Sequence, residues 1–220
     1  MEINKIYNEN CIDTMDKMPD NFVDLTVTSP PYDNLRTYNG YSFDFESIAK
    51  QLFRVTKKGG IIVWIVGDAT IKGSESGTSF KQALFFKEIG FNLHDTMIYQ
   101  KNALPKNHNR YEQDFEYMFV FSKGKPKTFK AIRIPTIYPE KDGARQNSFF
   151  SITNEKNRSA RSGKKRKPVG VDKIKGNIWK FNVGKGHSTA DKIAFKHPAI
   201  FPEKLANDHI ISWSNQGDLV

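Results

Sequence analysis

The run Ile61-Ile62-Val63-Trp64-Ile65-Val66 is apolar at every position. A strand with one wet face alternates polar and apolar residues, whereas an unbroken apolar run reads as a strand covered on both faces, as in a parallel sheet. Such a strand needs helices above and below it. Residues 44–55 place Phe45, Ile48, Ala49, Leu52, Phe53 and Val55 at helical spacing, ended by Lys57-Lys58-Gly59-Gly60. Residues 78–89 form a second amphipathic pattern, closed by Gly90. Residues 22–28, 92–100 and 115–122 read as further strands, residues 3–7 as a short one, and residues 10–18 as a short helix with Asn10 as its cap. This alternation predicts an α/β domain of the doubly wound kind over residues 1–122.

The pattern then changes. Residues 123–190 are rich in Ser, Asn, Lys and Arg, with a few apolar positions such as Ile178, Trp179 and Phe181. They read as an irregular insertion with little core of its own. Residues 205–213 are again helical, so residues 191–220 are expected to return to the core, and Leu219-Val220 begins a new apolar segment.

Charge follows the same division. The chain of 220 residues carries a net +10, and residues 141–186 hold 13 Lys/Arg against 3 Asp/Glu. All the excess charge therefore sits in one segment, and the remainder is neutral. A polyanionic partner for that segment is the leading physical reading. The single cysteine, Cys11, excludes an internal disulfide and a cysteine-rich zinc site. The chain has no run of 18 apolar residues, and Met1-Glu2-Ile3-Asn4-Lys5 does not open a signal peptide. A cytoplasmic protein without a membrane partner is the expectation.

Thr28-Ser29-Pro30-Pro31-Tyr32 stands directly after the strand Phe22-Val23-Asp24-Leu25-Thr26-Val27. Ligands of open α/β sheets bind at the carboxyl ends of strands. Proline fixes φ and restricts its predecessor, so Ser29 and Pro30 cannot begin a helix and their oxygens remain available. Two acceptors beside an aromatic ring suit a planar heterocycle bearing an exocyclic amino group.

Ser29-Pro30-Pro31-Tyr32 resembles the catalytic motif of the DNA amino-methyltransferases, which methylate N4 of cytosine or N6 of adenine from S-adenosylmethionine. The serine form of the motif is commoner among the cytosine-N4 enzymes. The likeness extends along the chain. Asn8-Glu9-Asn10-Cys11-Ile12-Asp13 sits where the family carries a Gly-Asp-Cys-like turn against the cofactor, with Glu9-Asn10 in place of Gly-Asp. The stretch from Phe115 to Gly124 resembles a later core strand. His197-Pro198-Ala199-Ile200-Phe201-Pro202-Glu203 resembles the motif flanking the methionine end of the cofactor. The order matches the permuted arrangement in which the catalytic motif comes first.

The resemblance implies a Rossmann-like S-adenosylmethionine-dependent methyltransferase fold. It also implies catalytic roles for Ser29, Pro30, Pro31 and Tyr32. Asn10, Cys11, Ile12, His197, Pro198, Phe201 and Glu203 become cofactor-binding residues. The basic insertion takes the place of the target-recognition region, with Arg145, Arg158, Arg161, Lys164, Lys165, Arg166 and Lys167 as double-stranded DNA contacts. The expected activity is site-specific methylation of cytosine N4 in a flipped-out base, of the kind paired with a restriction enzyme. Adenine N6 is the rival within the same chemistry; a catalytically silent nucleic-acid-binding protein and an RNA methyltransferase are the others. Methylation at cytosine C5 needs a cysteine nucleophile, and Cys11, in Asn-Cys-Ile, does not fit. A zinc deaminase would need paired cysteines. The family's Gly-rich cofactor loop would follow Val220, so the fold is expected to be incomplete at its C-terminus, with a second polypeptide as one possible source of that loop.

Neutralising Lys164, Lys165, Arg166 and Lys167 together is expected to weaken duplex binding and to flatten its dependence on salt, read by anisotropy titrations across a salt series. An unchanged slope would place the cluster away from the nucleic acid.

Overall fold

In the computed structural model, which describes residues 2–31, 43–102, 109–136, 170–184, 187–197 and 199–220, the apolar run forms most of strand β2 (Thr56–Val66). Helix α1 (Cys11–Asp16), strand β1 (Val23–Thr28) and helix α2 (Phe45–Val55) precede it. After it come the two-residue strands β3 (Thr70–Ile71) and β4 (Ser74–Glu75), helix α3 (Thr78–Glu88), and strands β5 (Asn92–Gln100) and β6 (Phe115–Ser122). Strands β7 (Arg133–Pro135), β8 (Asp172–Ile174) and β9 (Ile178–Lys180), a 3₁₀ turn at Lys192–Lys196, and helix α4 (Glu203–Trp213) complete the described elements. The chain divides into two compact units, one of residues 1–130 with 176–220 and one of residues 131–175.

In the first unit the sheet runs in the order β1-β2-β6-β5-β9. Strands β1 and β2 are parallel, as are β5 and β9, whereas β6 is antiparallel to both its neighbours. The parallel pairing expected of β2 therefore holds on one edge only. No helix stands between β5 and β6 among the described residues, so the chain doubles back and β6 lies antiparallel. Ile62, Trp64 and Val66 of β2 pack with Ile48, Ala49, Leu52 and Val55 of α2 and with Ala83 and Phe86 of α3. Phe86 is the hub of this layer: its ring lies 5.1 Å from Trp64, 4.7 Å from Phe121 and 5.4 Å from Phe45. The Trp64 indole N–H donates to Gln82 Oε1 at 2.8 Å, which satisfies two buried polar groups at once. On the opposite face α4 brings up Leu205 and His209, whose Nε2 lies 3.3 Å from Met118 Sδ on β6.

The helices form for reasons visible in their ends. Asn10 accepts from the Ile12 N–H to cap α1, and Asp44 accepts from the Ser47 N–H to cap α2. Helix α2 stops where Thr56 becomes extended and opens β2, so Lys57-Lys58-Gly59-Gly60 belong to that strand rather than to a connecting turn. A Cβ at Gly60 would lie 2.9 Å from the carbonyl oxygens of Asp24 and Lys57, so only glycine fits between β1 and β2 there. The strand expected over residues 3–7 is absent. Ile3 and Ile6 are 62% and 96% exposed, Asn4 has a φ of +61°, and Glu2 and Tyr7 exchange bonds that close the segment into a loop. With no described strand to pair its backbone, a few apolar residues are not enough to make a strand. No described helix is long and apolar enough to cross a membrane.

Asp24 is a buried carboxylate near the start of strand β1. Its Oδ2 accepts from Lys57 Nζ at 2.5 Å and from the Leu219 N–H at 3.0 Å. The N–H groups of Asp24 and Leu25 donate to the Leu219 carbonyl at 3.0 and 3.2 Å, so Leu219 runs beside the edge of β1 away from β2. Burial pushes the Asp24 carboxyl up, but the Lys57 hydrogen bond, the Leu219 N–H and the charges of Lys57 and Lys127 outweigh it and hold it below the usual range.

The second unit contains a two-stranded antiparallel ribbon of β7 and β8, with Arg133 opposite Ile174, Ile134 opposite Lys173 and Pro135 opposite Asp172.

Asp24→Asn is expected to cost about 1.5–3 kcal/mol at neutral pH, the range for a hydrogen bond to a charged group. Because the folded carboxyl titrates below its unfolded value, its stabilisation is complete above that value and is lost as pH falls through the folded one. Urea melts at pH 7 and near pH 3 should therefore show a gap between the two proteins that narrows in acid.

Candidate active site

Strands β1 and β2 are parallel, with Thr28 opposite Trp64, so both release the chain at the same edge of the sheet. At the end of β1, Ser29 is exposed, Pro30 is buried and Pro31 half-buried. The prolines stop the ladder because they carry no N–H, and they hold Ser29 extended. A buried ring thus anchors the turn while the neighbouring serine remains accessible. Tyr32 lies outside the described residues.

At the end of β2, Gly67, Asp68 and Ala69 stay buried. The Asp68 carboxylate accepts from the Ser79 N–H at 2.9 Å, from Ser76 Oγ at 3.1 Å and from Ser79 Oγ. The residue before α3 is Gly77, at φ +66°, which has no side chain to cap the helix. Asp68 does that work from the adjoining strand and sets negative charge at the positive end of α3. Antiparallel β6 starts at the same edge and β5 ends there. Lys101 Nζ donates to Glu116 Oε1 at 2.6 Å, and Gln100 Nε2 to Asp114 Oδ2 at 3.0 Å. Burial, with Asp68 and Glu75 nearby, pushes the Tyr117 hydroxyl up, so it stays protonated.

A cavity of about 200 Å³ lies before α4, lined by Thr189, Asp191, Ala194, His197, Phe201 and Glu203, with Ala199 and Ile200 completing the wall. Its frame is local. Glu203 N–H donates to Ser188 O at 3.0 Å, Thr189 Oγ1 donates to Glu203 Oε1, and Thr189 Oγ1 accepts from the Asp191 N–H at 2.9 Å. His197 Nδ1 lies 3.1 Å from the Ala199 nitrogen, whose N–H it accepts, and fixes the turn there.

The structure gathers His197, Phe201 and Glu203 around one cavity; Pro198 lies outside the described residues. Asn10, Cys11 and Ile12 are not among its lining residues. They open α1, which is held on α2 by Arg54 donating to the carbonyls of Met15 and Met18. Arg145, Arg158, Arg161 and Lys164 through Lys167 also lie outside the described residues. Sequence reasoning missed Asp68, Thr189 and Asp191. Asp68 had a usable signal, a lone acid two residues after a buried strand. Thr189 and Asp191 had none, since they matter only through the turn that brings them to Glu203.

The fold is that of the S-adenosylmethionine-dependent methyltransferases. The solved structure of PvuII DNA methyltransferase (cytosine-N4-specific) superposes with a TM-score of 0.65 at 18% identity, covering 96% of this chain and 71% of that one. The chain belongs to the DNA methylase family, whose sequence profile matches residues 23–220, and S-adenosylmethionine is that family's methyl donor. Among its relatives, orphan methyltransferase M.BamHII of Bacillus amyloliquefaciens is 57% identical over 201 residues, which is 90% of this chain and 74% of that protein. Type II methyltransferase M.BglII of Bacillus subtilis is 25% identical over 228 residues; the chain is covered to 99% but spans only 58% of that relative.

Asp68→Ala leaves the buried Ser79 N–H and hydroxyl without their acceptor, and is expected to destabilise the fold by about 1–3 kcal/mol. Urea denaturation at pH 7 checks this; a loss below a few tenths would mean that α3 is capped by other groups.

Proposed function

We propose that the chain is the catalytic part of a DNA methyltransferase that acts on the exocyclic N4 of cytosine, in a restriction-modification setting. The observation that carries this reading is an exposed Ser29 beside a buried Pro30, at the carboxyl end of a strand parallel to its neighbour. The serine form of the motif and the printed specificity of the PvuII enzyme both favour cytosine. The type II relative favours the restriction-modification setting.

The target nitrogen is paired inside the duplex, so the base must leave the stack to be reached. Its lone pair is conjugated into the ring and is a poor nucleophile. Ser29 Oγ and the Pro30 carbonyl accept the two N–H bonds of the amine and favour a pyramidal nitrogen, whose lone pair is then free. Tyr32 stacks on the base, a contact of about 1–3 kcal/mol. S-adenosylmethionine, when bound, supplies the electrophilic methyl. The residues around the start of α4 fit the amino-acid end of that cofactor: Glu203 and Asp191 offer carboxylates for its ammonium, and Phe201 and Ile200 offer an apolar wall. The cavity, at about 200 Å³, is below the usual range for a whole ligand and matches one end of it. The rest is positioning, and the displaced proton goes to solvent.

The test is incubation of the chain with S-adenosylmethionine and mixed-sequence duplex, followed by mass identification of methylated nucleosides. N4-methylcytosine is expected, with Ser29→Ala lowering its yield by about 100-fold or more, as for loss of a transition-state hydrogen bond, while duplex binding stays within about twofold. N6-methyladenine would move the target to adenine. Binding without product, even when the C-terminal portion of a relative is added, would leave a silent DNA-binding protein.

A further inference from the structure

The ribbon of β7 and β8 has one wholly exposed face. Arg133, Pro135, Asp172 and Ile174 project from it, while Ile132 and Ile134 on the other face are half-buried. The pairing is longer than the strands themselves, because Thr136 N–H donates to Val171 O at 3.0 Å and Lys175 N–H to Ile132 O at 2.8 Å. The result is a short, regular, twin-stranded blade within a segment that carries an excess of basic residues. A two-stranded ribbon of this kind is narrow enough to enter the major groove of duplex DNA.

Arg133 is held in a particular way on that face. Its Nε and Nη2 both donate to Asp172 Oδ1, at 2.9 and 2.7 Å, and Nη2 also approaches the Asp172 carbonyl at 3.3 Å. Both side chains remain about half exposed, at 51% and 48%. No described residue is bonded to Nη1. An exposed ion pair of this kind contributes little to stability. It does fix a flexible side chain in one orientation, and the Nη1–Nη2 edge, whose second Nη2 N–H meets the Asp172 carbonyl only at 3.3 Å, suits an acceptor pair such as guanine O6 and N7.

We propose that Arg133, oriented by Asp172 across the ribbon, reads a guanine in the major groove and so sets part of the sequence specificity of methylation; this rests on the DNA methyltransferase reading above. Asp172 is a positioning residue. The ordering of the guanidinium before binding lowers the entropy lost on contact. The acid on the same face disfavours a phosphate contact and leaves a base edge, which carries no net charge, as the fitting partner.

The experiment selects bound duplexes from a randomised pool with the intact 220-residue chain and sequences them, for wild type, Arg133→Lys, Arg133→Ala and Asp172→Asn. Lysine keeps the charge and the ion pair with Asp172 but not the planar fork. Arg133→Lys should therefore keep the wild-type melting temperature and bind non-specific duplex within about twofold. It should lose roughly 5- to 150-fold discrimination at one G·C position, the range for a bidentate base contact. Arg133→Ala should lose the same position, and Asp172→Asn part of it. Selection of an unchanged motif by Arg133→Lys and Arg133→Ala would overturn the assignment while leaving the methyltransferase reading intact. Uniform weakening across all sequences by Arg133→Ala, with no position relaxed, would make Arg133 a phosphate contact and overturn it equally. Failure of the wild type to bind any duplex would instead remove the reading on which the assignment rests.

Discussion

Strand β2 is buried on both faces, and a strand so placed satisfies its backbone only by pairing along both edges. Strand β1 takes one edge and β6 the other. The two faces then need cover, which α2 and α3 give on one side through the Trp64–Phe86–Phe121 cluster and α4 on the other through Leu205 and His209. Once β1 is locked parallel to β2, their carboxyl ends coincide, so Ser29 and Asp68 emerge at one edge of the sheet. The position of the site is a consequence of how the core is covered, not of any property of the motif itself.

Two buried carboxylates show how such a core accommodates charge. Asp24 and Asp68 are both nearly inaccessible, and an unpaired carboxylate there would be costly. Asp24 answers with an ammonium and a backbone N–H, and through them joins β1 to β2 and to Leu219. Asp68 answers with a helix N-terminus and two hydroxyls, and through them joins the end of β2 to α3. Each carboxylate therefore makes a connection that apolar packing cannot specify, since packing is tolerant of small slips and a hydrogen-bonded charge is not. Both connections are made by the strands that end at the edge carrying Ser29 and Asp68.

Much of this was legible in the sequence. Helical spacing marked α2 and α3, the unbroken apolar run marked β2, and the proline pair marked the end of β1. Trp179 was legible only as an isolated apolar residue in an irregular stretch. In the structure it is buried in β9, a three-residue strand whose partner Tyr99 lies 80 positions earlier in the chain. A strand that short has no periodicity to detect, and its pairing is set by β5, not by its neighbours in sequence. The failure at residues 3–7 is the converse: apolar residues are present, but among the described residues no strand pairs with them. Local pattern identifies elements long enough to bury a face by themselves, and says little about those that exist only because a distant edge is free. Ser29 and Phe201 were singled out by motif, whereas Thr189 and Asp191 reach the cavity through a turn whose geometry no spacing encodes.

The segregation of charge suits an enzyme that must do two things with opposite demands. Attachment to a polyanion is strengthened by many cations and weakened by salt. Methyl transfer to a neutral amino group gains nothing from a strong positive field; it needs acceptors held still in a site that excludes bulk water. With the whole excess of +10 confined to residues 141–186, the rest of the chain is left electrically neutral, and the buried Asp24 and Asp68 are each matched locally. Affinity and chemistry can then vary independently: a changed basic segment alters where and how tightly the protein binds, without disturbing the acceptors at the end of β1. Outside that segment, Arg133 is held by Asp172, and charge alone gives attachment, whereas only a side chain of fixed orientation can tell one base pair from another.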